Sequence, residues 1–291
     1  MTDAKLPPAT LIDTKMKVSA TPTQLVFQLD PRLAALGLQQ HLPCIQLQPW
    51  VQLYWSLKVT GLQDPAQSHA LYPDGGSNLL FEFQPNQRPT CHFRYKQQLS
   101  QARFSAGMQL LSVRFHPTGA FQLLGLSPTE VPDLPIDLRL VNPPGLDWLL
   151  DQLAQHAELS TQLTAVECWL LHLAEQSGMQ GSLVQKSLPL LQQPAADLQH
   201  VYQQLPKSRR QFERQFKLET GLSPAQLQLL LKVKLARFII SNDPTCSLAA
   251  VAQQAGFYDQ AHLHQHFSRI TGQTPGQYKK RKMSHISNSA R

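Results

Sequence analysis

The stretch Phe212 to Leu227 recurs 51 residues later as Leu263 to Tyr278, and this echo constrains the fold more than any other feature of the chain. Phe216, Thr220, Gly221, Pro224 and Gln226 match Phe267, Thr271, Gly272, Pro275 and Gln277, with Thr274 a conservative replacement for Ser223. Each copy reads as a helix that stops at a Thr-Gly pair and restarts at a Ser/Thr-Pro pair. Glycine takes the left-handed conformation that ends a helix, and proline fits the first helical turn, where its missing N–H costs nothing. Two copies of one small helical unit imply a duplicated surface to bind.

Charge says where that surface lies. Residues 1–194 hold 12 Lys and Arg against 14 Asp and Glu, whereas residues 195–291 hold 14 against 5, so the net +7 comes entirely from the last third. A basic helical region on an otherwise acidic chain points to a polyanion, and to nucleic acid before membrane. No apolar run approaches the roughly 18 residues of a membrane helix, and the start MTDAKLPPAT lacks an apolar signal region, so a cytoplasmic protein is expected. Cys44, Cys91, Cys168 and Cys246 are scattered without a C-x-x-C pair, against a disulfide framework or a structural zinc site. No cofactor is expected.

The pattern predicts an α+β chain in two parts. Residues 1–21 read as disordered. Residues 22–180 read as an antiparallel β-rich domain, sandwich or barrel-like, with flanking helices. Its strands are the aromatic and β-branched runs around Trp50–Val59, Leu79–Phe83, Cys91–Tyr95 and Leu110–Phe115, with helices at Pro117–Leu124 and Asp147–Gln176. Residues 181–194, with Pro189 and Pro194, read as a linker. Residues 195–283 read as all-helical, two helix-turn-helix units joined by a helix from Pro224 to about Ser241, and 284–291 as a tail. Roughly 17 helical residues span about 25 Å, a suitable spacer for two helices that meet successive major grooves about 34 Å apart.

The segment GFYDQAHLHQHFSRITGQTPGQY, Gly256 to Tyr278, resembles the signature of the AraC/XylS class of bacterial transcription regulators, and SRRQFERQFKLETGLSP, Ser208 to Pro224, is similar to that family's first helix-turn-helix. The resemblance implies a DNA-binding module reading two adjacent major grooves of double-stranded DNA, with RNA polymerase as a partner. Residues 1–180 resemble the β-rich amino-terminal domain of some members, at LQPWVQLYW, LYPDGGSNLLFEF and Val113 to Leu126. Such a domain senses a small-molecule effector, forms a homodimer, or does both.

Site residues follow. Base-reading candidates in the first unit are Arg209, Arg210, Gln211 and Arg214, since Arg bonds bidentately to guanine O6 and N7. In the second they are Gln260, Ala261, His262 and Gln265, since Gln suits adenine and Ala a thymine methyl. The family often has Arg where this chain has Gln265. Glu213 fits an i,i+4 pair with Arg209 or Lys217 better than a cytosine contact. Phosphate candidates are Lys207, Ser208, Lys217, Lys232, Arg269, Lys279, Lys280 and Arg281. Effector-facing candidates in the β-domain are Trp50, Tyr54, Trp55, Tyr72 and Phe83, although most such aromatics are core.

Three other readings bear on the same residues. A constitutive architectural DNA binder with a purely dimerising first domain accounts for the same charge. His262, His264 and His266 suggest a metal, but Leu263 stands where a metalloprotease helix needs Glu and no further ligands lie nearby. Cys44 or Cys91 as an alkyl-accepting nucleophile of a repair-type regulator lacks the accompanying four-Cys zinc site, and Cys91 and His92 point to opposite faces of a strand. The expectation is a regulator and not an enzyme.

Overall fold

The computed structural model describes residues 31–61, 68–131, 134–178, 181–193 and 197–289. The expected disorder at 1–21 lies outside them. In chain order the elements are α1 (Pro31–Ala35), β1 (Gln39–His41), β2 (Val51–Lys58), β3 (His69–Leu71), β4 (Ser77–Phe83), β5 (Thr90–Tyr95), β6 (Ser100–Ala102), β7 (Gln109–Phe115), α2 (Gly119–Leu124), β8 (Ile136–Asp137), α3 (Leu146–Gln155) and α4 (Leu159–Gln176). After these come α5 (Leu183–Leu191), α6 (Leu198–Gln203), α7 (Arg209–Thr220), α8 (Pro224–Asn242), α9 (Leu248–Gln254), α10 (Gln260–Thr271) and α11 (Pro275–Ser289). The α+β class and the β-then-helical order are as the sequence predicts.

The main sheet is antiparallel in the order β1-β2-β7-β4-β5-β8, with β3 and β6 forming a separate ribbon. Alternation sends successive side chains to opposite faces. Tyr54, Val113, Leu79 and Phe93 share one register row and face the core with α2, α3 and α4, whose Leu123, Leu149, Trp169 and Leu170 are buried there. Trp55, Ser112 and Leu80 form the adjacent row on the other face, where Leu57, Leu110, Phe104 and Met108 make a second, smaller core.

Three expectations meet a different structure. The helix expected over Asp147–Gln176 is two helices. The backbone extends at His156 and Glu158, and the buried Gln162 side chain donates to the His156 carbonyl at 2.8 Å, which satisfies the end of α3 as α4 begins. The stretch expected as a linker, 181–194, carries a helix in its described part: α5 holds Pro189 inside it, and Val184, Leu188 and Leu191 pack with Phe212, Phe216 and Leu230 of the helical region. Proline removes one helical hydrogen bond, and burial of that apolar stripe outweighs it. The helix α11 also continues into the expected tail, to Ser289.

Candidate nucleic-acid interface

The echo in sequence is an echo in hydrogen bonds. In the first unit, Thr220 Oγ1 donates to the Phe216 carbonyl at 2.7 Å, Gly221 takes φ 72°, and Ser223 with Gln226 forms a capping box that starts α8. In the second, Thr271 Oγ1 donates to the Phe267 carbonyl at 2.8 Å, Gly272 takes φ 69°, and Thr274 and Gln277 exchange the same pair of capping bonds at 2.8 and 3.2 Å ahead of the main run of α11. A positive φ of this kind strains any residue with a Cβ, which is why both stops are glycine. The start of each unit is matched too: Ser208 caps α7 at the position where Asp259 caps α10. Phe212 and Phe216 in one unit, Leu263 and Phe267 in the other, are fully buried, so the stacking role open to exposed aromatics falls to none of them.

This scaffold turns the remaining faces of α7 and α10 outward. On α7, Arg210 and Arg214 are exposed, and no hydrogen bond or ion pair among the described residues engages them. Arg209 is committed otherwise: it pairs with Glu213 at 2.8 Å and lies 4.8 Å over the Tyr202 ring, and Tyr202 donates to the same carboxylate at 2.8 Å. The bond from Arg209, then that from Tyr202, holds Glu213 below the usual carboxylate range, while burial and Glu213 push Tyr202 up to about 12. Glu213 is therefore the i,i+4 partner of Arg209. Gln211 is drawn back to the helix start, where its Oε1 accepts from Ser208 N at 3.3 Å and Oγ at 3.0 Å. On α10, Gln260, Ala261 and Gln265 are exposed. His262 is half-buried, edge-on to Phe257 at 5.5 Å and to His266 at 4.5 Å. Burial, then the neighbouring His262 and Arg269, lowers His266. His264 is exposed, and among the described residues no group of three or more His, Cys, Asp or Glu could hold a metal ion.

The phosphate candidates divide. Lys217 and Lys280 are exposed, and Lys207 is exposed while donating to Gln215 at 2.8 Å. Arg269 bonds His266 at 3.1 Å on the open side of α10. Lys279 instead closes the start of α9 by donating to the Cys246 carbonyl at 2.8 Å, Arg281 reaches the Tyr72 hydroxyl at 3.3 Å, and Lys232 is half-buried on α8, its pKa lowered by that burial. Spacing alone did not foresee Tyr258, 93% exposed immediately before α10. The 51-residue offset would have found it, because it maps Tyr258 onto Lys207.

The effector-facing candidates do not converge. Trp50 and Tyr54 are core, and Phe83 packs against that core. The Trp50 indole donates to Gln122 at 2.8 Å, and burial raises Tyr54 above the usual phenol range. Trp55 lines the smaller core, and Tyr72 faces the helical region. From Trp50 a chain of side chains crosses to α7. Gln122 donates to Ser182 at 3.0 Å, Ser182 to Glu219 at 2.6 Å, Gln215 to the other Glu219 oxygen at 2.8 Å, and Lys207 to Gln215. Further contacts join the two regions. Asp74 is buried between Arg114 and Lys234, the latter at 3.1 Å. Burial alone would raise this carboxyl, but the two cations hold it well below the usual range.

The chain matches two family models, a helix-turn-helix domain over residues 202–281 and a domain of unknown function, DUF6597, over residues 39–137. No curated protein matches it. Among solved structures it is similar to ToxT from Vibrio cholerae at 9% identity and a TM-score of 0.40, covering 84% of this chain and 98% of that one. It is also similar to ToxT bound to (E)-4-(8-methylnaphthalen-1-yl)but-3-enoic acid, at 11% identity and a TM-score of 0.39 over 84% and 99% of the two chains. Unsaturated fatty acid bound ToxT matches at 9% and 0.36 over 83% and 93%. Among the described residues no helix is long and apolar enough to cross a membrane. With its paired units, each started by a side-chain cap and stopped at a Thr-Gly pair, the carboxy-terminal region of this chain is an AraC-type helix-turn-helix domain, the DNA-binding module of a transcription regulator, and it stands behind a DUF6597 domain.

Proposed function

We infer that the protein is a sequence-specific transcription regulator in which α7 and α10 enter two adjacent major grooves, and that a small molecule bound by the β-domain controls it. One observation carries the first half: two units share a hydrogen-bonded scaffold yet present different exposed faces, Arg210 and Arg214 on one, Gln260, Ala261 and Gln265 on the other. The arginines supply bidentate guanine contacts. The second unit reads through shorter, uncharged side chains and adds less affinity. Lys207, Ser208, Lys217, Arg269 and Lys280 supply phosphate contacts that fix orientation without reading sequence. Arg209 and Gln211 act mainly by shaping α7. In this reading RNA polymerase and a second copy of the chain are its protein partners, and it carries no catalysis. Burial, and then Glu167, raises the Cys44 thiol, and burial pushes Cys91 well up, so neither is the thiolate a nucleophile requires. In this reading α5 belongs with the helical domain, since its apolar side packs into the core of the first unit.

For the effector, the smaller core supports a site on the face carrying Trp55. Gln40, Trp55, Ser112 and Leu80 form one row across β1, β2, β7 and β4, and Gln40 Nε2 and Ser112 Oγ are buried there without a hydrogen-bond partner. Orphaned polar atoms beside an apolar cluster suit a small ligand with hydrogen-bonding groups.

Duplexes enriched from a random pool by the full-length protein test the DNA reading. Arg210→Ala and Arg214→Ala should each cost about 1–3 kcal/mol on the enriched duplex and relax preference at one base pair, whereas Lys280→Ala should weaken all duplexes evenly and lower the salt slope by about 1. Unchanged affinity and preference in both arginine variants would sink the assignment.

A further inference from the structure

The β-domain touches both helix-turn-helix units at the same repeated element, the Thr-Gly stop. At the first unit, Tyr95 donates to the Thr220 carbonyl at 2.6 Å and Ser127 to the Leu218 carbonyl at 2.8 Å. These carbonyls belong to the last turn of α7, where no intrahelical donor remains. A Cβ added at Gly221 would meet the Tyr95 hydroxyl and Pro128 at 2.9 Å. At the second unit, a Cβ at Gly272 would meet Leu99 at 3.0 Å, and the Tyr72 hydroxyl accepts from Gln273 at 3.2 Å and from Arg281 at 3.3 Å. Between the units, Lys234 of α8 pairs with buried Asp74, and Arg237 of α8 lies 3.5 Å over the Tyr72 ring.

These contacts come from one small piece of the β-domain. Leu71 pairs with Ser100 at the end of the β3–β6 ribbon, which puts Tyr72 and Leu99 side by side just past it. Tyr95 ends β5 only four residues before Leu99. Four residues span at most about 14 Å, so a short turn bridges both stops. Among the described residues the units are otherwise joined through α8 and through Ile270 of α10, which packs against the cores of both units. With both stops and α8 seated on this one part of the β-domain, a shift of one unit relative to the other breaks the hydrogen bonds to the Thr220 and Leu218 carbonyls or those to the Tyr72 hydroxyl, and strips a counter-charge from Asp74.

We propose that Tyr72, Asp74, Tyr95, Leu99 and Ser127 are positioning residues for DNA reading: the docked β-domain fixes the distance and rotation between α7 and α10, and so sets which half-site spacing the chain accepts. This rests on the two-groove reading above. It assigns the β-domain a direct part in sequence selection within a single chain, apart from dimerisation, and a ligand that undocks it would loosen spacing without touching a base-reading side chain.

The test uses the full-length protein and the duplex it enriches from a random pool, with one or two base pairs inserted or removed between the two half-sites. Wild type should lose about tenfold or more per step, the scale of a mismatched site. Tyr72→Phe with Tyr95→Phe removes only two hydroxyls, and Ser127→Ala is the independent second variant; each should bind the original spacing within about threefold of wild type and show a flattened spacing penalty. A merely structural role would lower the melting temperature and leave the spacing profile as it is in wild type, and that result overturns the proposal. Failure to enrich any duplex overturns the DNA reading and this proposal with it, whereas enrichment followed by an unchanged profile overturns the positioning role alone.

Discussion

Arg209 and Arg210 are the same residue one position apart, yet a 100° step around α7 takes one to Glu213 and Tyr202 and leaves the other free. Type and spacing identify both as readers; Glu213 four residues on, and Tyr202 from α6, separate them. Gln211 is similar: its place three residues after Ser208 makes it half of a capping box, a pattern visible in sequence but in competition with base reading for one amide. Ser112 poses the opposite problem. Its buried hydroxyl lacks a partner, which burdens the fold unless a ligand uses it. Ser112→Ala should therefore raise unfolding free energy by about 1 kcal/mol in urea titration while abolishing the response to an effector; a destabilised variant would mean that the hydroxyl is satisfied in solution.

At the scale of elements, periodicity predicted the long strands and the four helices of the paired units, because burial on one face leaves a period in the sequence. It failed where a tertiary partner overrides local punctuation. Pro189 and Pro194 suggested a break, but Val184, Leu188 and Leu191 lie on one side of α5 and meet Phe212 and Phe216, residues more than twenty positions away. Leu188→Ala should cost about 2–4 kcal/mol by urea denaturation, as for a core leucine; a loss under about 0.5 kcal/mol would mean that α5 is a surface strap. Chemistry alone does not separate core aromatics of the β-domain from ligand-facing ones. Trp50 and Trp55 sit five residues apart on either side of a strand irregularity between Val51 and Leu53, and which one faces the smaller core depends on that register shift.

For the molecule as a whole, the divided charge was legible from counting, but the seam between the domains was not, since Asp74, Tyr72, Lys234 and Arg237 meet across about 160 residues of chain. His116 lies by that seam, and burial, then Lys234 and Arg114, lowers its pKa to about 4. An unfolded histidine titrates near 6.5. Between those values the unfolded chain binds a proton that the folded chain refuses, so stability is full above about pH 6.5 and declines as pH falls towards 4, by up to about 3 kcal/mol. Urea midpoints measured across this range should follow that slope in wild type and lose it in His116→Gln; an equal slope in both would place the titrating group elsewhere.

The row of hydrogen bonds from Trp50 through Gln122, Ser182, Glu219 and Gln215 to Lys207 has an optical consequence. An indole emits according to the dipoles around its N–H. If the phosphate contact proposed for Lys207 forms, Gln215 loses its outer donor, and the polar surroundings of the buried Trp50 indole at the far end of the row should change. The expected outcome is a shift in tryptophan emission on DNA binding that Lys207→Ala and Trp50→Phe both abolish; a shift that survives Trp50→Phe would place its source elsewhere.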